Sequence, residues 1–208
     1  MEFAASQTGI YVFTTIAALL VIGIGGYIWL YTRKTRHQRH IVKVLKALEL
    51  KYVKDIVLPD GVDGWVFIDY LLLVPNGVVV LDIHSSEGHL FGGKSVDQWS
   101  QVINHKTYKF ANPLYANQTQ CQAVIWNMAQ QKEQHSENPE DWQTFGRIVF
   151  SNAGNFPKGI PSQVSMIDDL KSDLEKLTDI TQPAGEPIRQ MWDKLCEISQ
   201  STRADLSR

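Results

Sequence analysis

The stretch FIDYLLLVPNGVVVLDIH, Phe67 to His84, sets the architecture. Two apolar segments rich in β-branched residues flank Pro75-Asn76-Gly77, and Asn-Gly between two such segments is the strongest short-range signal for a β-hairpin. An even-numbered loop centred on Asn76-Gly77 pairs Leu73 with Val80, Leu71 with Asp82 and Asp69 with His84. Side chains alternate along a strand and directly paired residues share a face. Asp69, Asp82 and His84 then stand on one face, with Ile68, Tyr70, Leu72, Val79, Leu81 and Ile83 on the other. A three-residue loop shifts the register by one and puts the two aspartates on opposite faces.

Two carboxylates that converge from adjacent strands repel each other, so they call for a cation or a shared proton. Oxygen ligands with retained waters suit Mg²⁺ or Mn²⁺. Two strand aspartates alone are also compatible with solvated strand ends.

The string IDYLLLVPNGVVVLDIHSSEGHLFGG, then DQW, NPLYANQTQ and GRIVFSNAGNFPKGIP, occurs in that order between Ile68 and Pro161. This series resembles the nuclease-related (NERD) domain family over roughly Ile41 to Leu170, and that family is related to the restriction-endonuclease-like PD-(D/E)xK nucleases. The resemblance implies an α/β fold, a restriction-endonuclease-like mixed sheet flanked by helices. It also implies that Asp69 and Asp82 hold a divalent metal, with the Ile83 carbonyl as a third ligand, and that hydrolysis of phosphodiesters in nucleic acid follows. His84 stands where those nucleases carry a Lys that positions or activates the attacking water. A Lys ammonium is a permanent cation at neutral pH, whereas imidazole as a residue type is mostly neutral there and serves as a general base. Two further positions depart from the pattern: Gln38-Arg39-His40 where a helix Glu is common, and Ala116 where a Gln is common. Gln118 and Gln120 are nearby substitutes. These departures support an alternative, a catalytically inactive binding or scaffold module.

From Phe3 to Thr32 the chain has no charged residue. Gly9 to Tyr31 is long enough to cross a bilayer core of about 30 Å at about 1.5 Å per residue, so a transmembrane helix is expected over 1–32. The apolar run exceeds a signal peptide's and lacks a basic n-region. Arg33 to His40 forms a basic neck, which by the positive-inside rule puts the rest of the chain on the cytoplasmic face of an inner or plasma membrane. Arg33 to Lys54 holds eight Lys/Arg and one acid, and Asp55 to Arg208 twelve Lys/Arg and twenty acids. The neck suits anionic lipid head groups; the acidic remainder suits strong non-specific duplex binding poorly. Cys121 and Cys196 read as free thiols in a reducing compartment.

The nuclease-related domain is expected over 41–180 and a C-terminal helix and tail over 181–208. A helix near His40 to Leu50 precedes a strand at Lys51–Leu58. Gly92-Gly93 closes a hairpin after His89-Leu90-Phe91, and strands follow at Asp97–Val102 and Lys106–Phe110. Trp99, Tyr108 and Phe110 read as core rather than stacking platforms, for want of an interleaved basic patch. Asn112-Pro113 opens a helix to about Gln131, with Leu114, Cys121, Val124, Ile125 and Met128 inward. Gly146–Ser151 reads as a buried strand, and the Gly/Asn/Pro-rich loop after it carries Lys158, a candidate phosphate contact. A short strand at Gln163–Met166, a helix to Leu177 and a helix at Pro187–Ser199 complete the chain, with the tail expected to fray.

Overall fold

The computed structural model describes residues 39–132, 142–151, 153–178 and 182–206. The expected transmembrane helix and most of the basic neck lie outside these residues. Among the described residues no helix is long and apolar enough to cross a membrane. The chain divides into two compact units, 1–42 and 43–208.

The described part of the first helix, α1, covers 39–47. Among the described residues nine strands follow: β1 (Tyr52–Pro59), β2 (Trp65–Val74), β3 (Gly77–His84), β4 (Gly88–Phe91), β5 (Gln98–Ile103), β6 (Lys106–Ala111), β7 (Gln143–Phe150), β8 (Gly154–Asn155) and β9 (Val164–Met166). Helix α2 (Pro113–Lys132) lies between β6 and β7, and α3 (Leu170–Leu177) and α4 (Glu186–Leu206) close the chain. The strands form a five-stranded sheet, β1-β2-β3-β7-β9, and a four-stranded sheet, β6-β5-β4-β8. In the larger sheet β1, β2 and β3 are antiparallel, whereas β7 and β9 run parallel to β3. This is the expected mixed α/β arrangement.

The central hairpin turns one residue earlier than its Asn-Gly signal suggests. Val74 pairs with Gly77, so Pro75-Asn76 is the two-residue loop, and Leu71 pairs with Val80 rather than Asp82. The register is displaced by two residues, which leaves the parity intact. The cause lies in β7. Gln143 N–H donates to the Asn76 carbonyl (2.8 Å), and a Cβ on Gly77, whose φ is +147°, would lie 1.9 Å from the Gln143 carbonyl oxygen. Only glycine lets the parallel strand start there.

One core fills the space between the larger sheet and helices α2 and α4: Leu71, Leu73, Val78 and Val80 meet Val124, Met128, Ile188, Trp192 and Leu195. Burying each such aliphatic side chain contributes about 1.5–3 kcal/mol. A second core joins the two sheets: Leu90 and Trp99 from the smaller, Ile148, Phe150 and Val164 from the larger, with Leu114 of α2.

Several local expectations change. Tyr108 is half exposed, because only the Trp99–Phe110 end of the smaller sheet reaches the second core. Ile125 is also half exposed, while Asn117, Gln120 and Asn127 are buried on α2. Their amides donate to the Val80, Phe67 and Pro59 carbonyls, one on each of β3, β2 and β1. Polar side chains thus fasten this helix face to the sheet. The C-terminal tail is helical to Leu206: Thr202 is buried, the Ser199 hydroxyl accepts the Val57 N–H (3.3 Å), and the Arg203 guanidinium donates to the Asp55 carbonyl.

Candidate functional site

The β2–β3 ladder runs from Val74↔Gly77 to Tyr70↔Leu81 and stops there. Beyond that point β2 keeps its pairing with β1 through Ile56↔Ile68, and β3 keeps its pairing with β7 through Asp82↔Ile148 and His84↔Phe150. A side chain takes over where the ladder ends, as Asp69 Oδ2 accepts the Ile83 N–H at 2.7 Å. The regular alternation also breaks here. Ile68 joins the core that holds Leu71 and Leu73, not the opposite face where alternation puts it. Beside it, Asp55 of β1 has a φ of +53°, and Asp55 and Asp69 do not pair although their neighbours do. This distortion re-aims the strand at Asp69, the usual role of irregular backbone next to sites.

Asp82 and His84 of β3 are the register partners of Ile148 and Phe150 on the neighbouring parallel strand β7 and share their face of the sheet. His84 Nε2 lies 3.0 Å from Asp82 Oδ2 and donates when that nitrogen carries the proton. The imidazole stacks on the Phe150 ring, with centroids 5.3 Å apart. The Ser151 N–H donates to the His84 carbonyl (3.1 Å), and the Ser151 hydroxyl to the Ser86 carbonyl (3.2 Å), which fixes the end of β3 against the loop after β7. Asp69 is half-buried, and burial pushes its carboxyl above the usual carboxylate range. The Ile83 N–H and His84 pull it down, and the like charges of Asp82 and Asp55 push it further up.

The donors present are carboxylate oxygens, the type that suits a hard divalent cation with retained waters. Among the described residues no group of three or more His, Cys, Asp or Glu side chains converges as metal ligands. The charge of Asp82 nonetheless reaches the Asp69 carboxyl and pushes it up, and the bonds to Ile83 and His84 occupy one oxygen of each carboxylate. A hard cation that keeps several waters needs only one or two carboxylates.

The accessory residues separate. Gln118 is exposed on α2, because the helix turns the 117/120/127 face toward the sheet. Gln120 is buried, but its amide accepts from Asn117 Nδ2 (3.0 Å) and donates to the Phe67 carbonyl (3.0 Å), two residues before Asp69. It steadies the strand that carries Asp69. Lys158 is exposed, its ammonium 5.8 Å from the centre of the Phe91 ring.

The sequence marked Asn112-Pro113 as a helix start but not the ties that Asn112 makes, and it passed over two further features. Asn112 caps α2, accepting the Leu114 N–H (3.0 Å), and its Nδ2 donates to the Gly93 and Val96 carbonyls, tying the helix to the smaller sheet. Asn-Pro at a helix start was the signal for the cap. Asn117 is seated by Gly146, where a Cβ would lie 2.2 Å from its Oδ1. A cavity of about 600 Å³ opens beside Asp69 between Ile56, Val57, Phe67 and Ile68 and, from α4, Arg203 and Leu206.

The model of the nuclease-related domain, NERD, matches residues 33–151, more than half of the 208-residue chain. An uncharacterized protein of Bacillus anthracis is 31% identical over 64 residues, 31% of this chain and 30% of that protein, so the match spans about a third of the relative's length. No solved structure matches. With its ordered motifs and mixed sheet, the chain belongs to the nuclease-related domain family.

Proposed function

We propose that this protein is a membrane-anchored member of the family that hydrolyses phosphodiesters in nucleic acid with Mg²⁺ or Mn²⁺ at Asp69 and Asp82. The observation that carries the reading is the end of the β2–β3 ladder, where the Asp69 carboxylate replaces a strand bond and lies near enough to Asp82 for their charges to oppose one another. Such an arrangement raises the free energy of the empty, doubly ionised site, and a cation relieves it. Asp69 and Asp82 would hold the metal, with the Ile83 carbonyl as a third donor. A bound divalent ion lowers the pKa of its water and offsets charge on the phosphate.

The chain's own residues supply the rest. Asp82 orients the His84 ring through the 3.0 Å contact to Nε2, and the stacking on Phe150 holds its plane. With the proton on Nε2, Nδ1 is the acceptor, which suits His84 to take a proton from water as the base. Asn117 and Gln120 hold the backbone two residues before each aspartate, at Val80 and Phe67.

The anchor in this proposal is the uncharged run from Phe3 to Thr32, and the basic neck after it adjoins anionic lipid on the cytoplasmic face. A second reading, a binding module without catalysis, draws on His84 standing where related nucleases carry Lys. Incubation of single- and double-stranded DNA and RNA with Mg²⁺ or Mn²⁺ tests the first reading. Cleavage by the wild type and its loss in Asp82→Ala is the expected result, and cleavage that survives Asp82→Ala removes these residues from the chemistry. Cleavage gained only in His84→Lys favours the binding module.

A further inference from the structure

The smaller sheet has two faces of opposite character. Its inner face, with Leu90, Trp99 and Phe110, packs on Phe150, the ring against which His84 stacks. Alternation and register build the outer face from the residues between. Phe91, Ser100 and Lys109 form one row across β4, β5 and β6, and His89, Val102 and Thr107 form the next. Lys109 and His89 are exposed and Phe91 is half-buried. Lys158, from the loop after β8, brings its ammonium over the Phe91 ring, and His89 Nδ1 lies 2.7 Å from Asn155 Oδ1 of β8.

None of these four strands carries an acidic residue, although Asp55 to Arg208 holds twelve Lys/Arg against twenty acids. The acids nearest in sequence, Glu87 and Asp97, lie off the strands, and Asp97 accepts the Tyr115 hydroxyl at 3.3 Å. The face therefore concentrates positive charge, hydroxyls and one half-buried aromatic ring within a stretch, Asp55 to Arg208, whose net charge is negative. Adjacent strands lie about 4.8 Å apart, so Lys109, two strands from Phe91 in the same row, is about 10 Å from it along the face.

We propose that the outer face of β4, β5 and β6 binds a single-stranded stretch of nucleic acid, with one base on Phe91 and the flanking phosphates on Lys109 and Lys158. The choice of polymer rests on the nuclease reading. The choice of a single strand rests on the ring, since a sheet face offers a stacking surface to an unpaired base and a duplex keeps its bases covered. A base on Phe91 displaces the Lys158 ammonium to the adjacent phosphate, so the existing cation–ring contact is a preformed version of the bound arrangement.

The test is fluorescence anisotropy of labelled oligothymidine with the full chain in neutral detergent micelles containing EDTA, where cleavage plays no part. Phe91→Leu is expected to weaken binding by about five- to a hundredfold, the range for losing one stacked base. Lys109→Ala with Lys158→Ala is expected to weaken it and to flatten the log K against log salt slope by roughly 1.4, about 0.7 per phosphate contact. Lys194→Ala, an exposed lysine of α4 that pairs with Glu197, is expected to bind as the wild type does. Unchanged affinity in both altered proteins overturns the proposal, as does a loss confined to anionic vesicles with oligothymidine unaffected. Binding that follows the pattern above without metal-dependent cleavage upholds the platform and fells the proposed chemistry. Cleavage with affinity indifferent to Phe91, Lys109 and Lys158 does the reverse.

Discussion

Replacing Gln120 by Met tests whether buried amides hold the acidic strand in place. Methionine matches glutamine in length and nearly in helix propensity, so the change removes the amide and little else. The Phe67 carbonyl loses the donor at 3.0 Å, and Asn117 Nδ2 loses the acceptor at 3.0 Å but keeps its 3.4 Å contact with the Val80 carbonyl. A buried polar group left without its partner costs roughly 1–3 kcal/mol. Phe67 itself is two-thirds exposed, which lets water reach its backbone, so the total belongs near the low end, about 2 kcal/mol. At roughly 2–4 °C per kcal/mol for a chain of this size, the thermal midpoint should fall by about 4–8 °C. Gln118→Met, on the exposed side of the same turn, should change stability by less than about 0.5 kcal/mol. Thermal unfolding followed by circular dichroism reads both. A midpoint for Gln120→Met within about 1 °C of the wild type, or equal losses in the two proteins, would refute the reasoning.

Gly146→Ala should destabilise by about 1–3 kcal/mol in denaturant unfolding, because its Cβ meets the Asn117 amide in a filled space. Truncation after Ser201 should lower the unfolding midpoint, since it removes buried Thr202 and the Arg203 bond to Asp55; an unchanged midpoint would return that segment to the status of a tail. The Cys121 thiol, pushed up to about 11 by burial, should react with a thiol reagent at pH 8 far more slowly in the native protein than in denaturant. For Asp69 the direction of the shift sets the sign. Its carboxyl is raised in the folded protein, so the native state binds the extra proton, and stability falls as pH rises from the ordinary value of 3.8 through the raised one. Asp69→Asn should remove that fall in pH-dependent denaturant unfolding.

The hairpin and most of the strands and helices were legible because β-branched runs, Asn-Gly and Asn-Pro act locally. The register was not, because it depends on where β7 meets Gly77, a contact between residues more than sixty positions apart. Ile68 shows the limit of alternation: a period of two holds only while the strand is regular, and β1 and β2 are distorted at Asp55 and Asp69. Helix α2 hid its inner face because Asn117, Gln120 and Asn127 there look like solvent-facing residues until the carbonyls they meet are known. The terminal segment looked like a tail because its anchors, Thr202 and Arg203, are polar. At the site, the pairing of Asp82 with His84 follows from strand spacing, whereas the bond from Ile83 to Asp69 arises from the opening of the ladder.

Calorimetric titration of Mn²⁺ into the wild type, Asp69→Ala and Asp82→Ala bears most directly on the central claim. The account predicts saturable binding at one site in the wild type and its loss in both altered proteins. No heat in the wild type, or the same isotherm in all three, would contradict it.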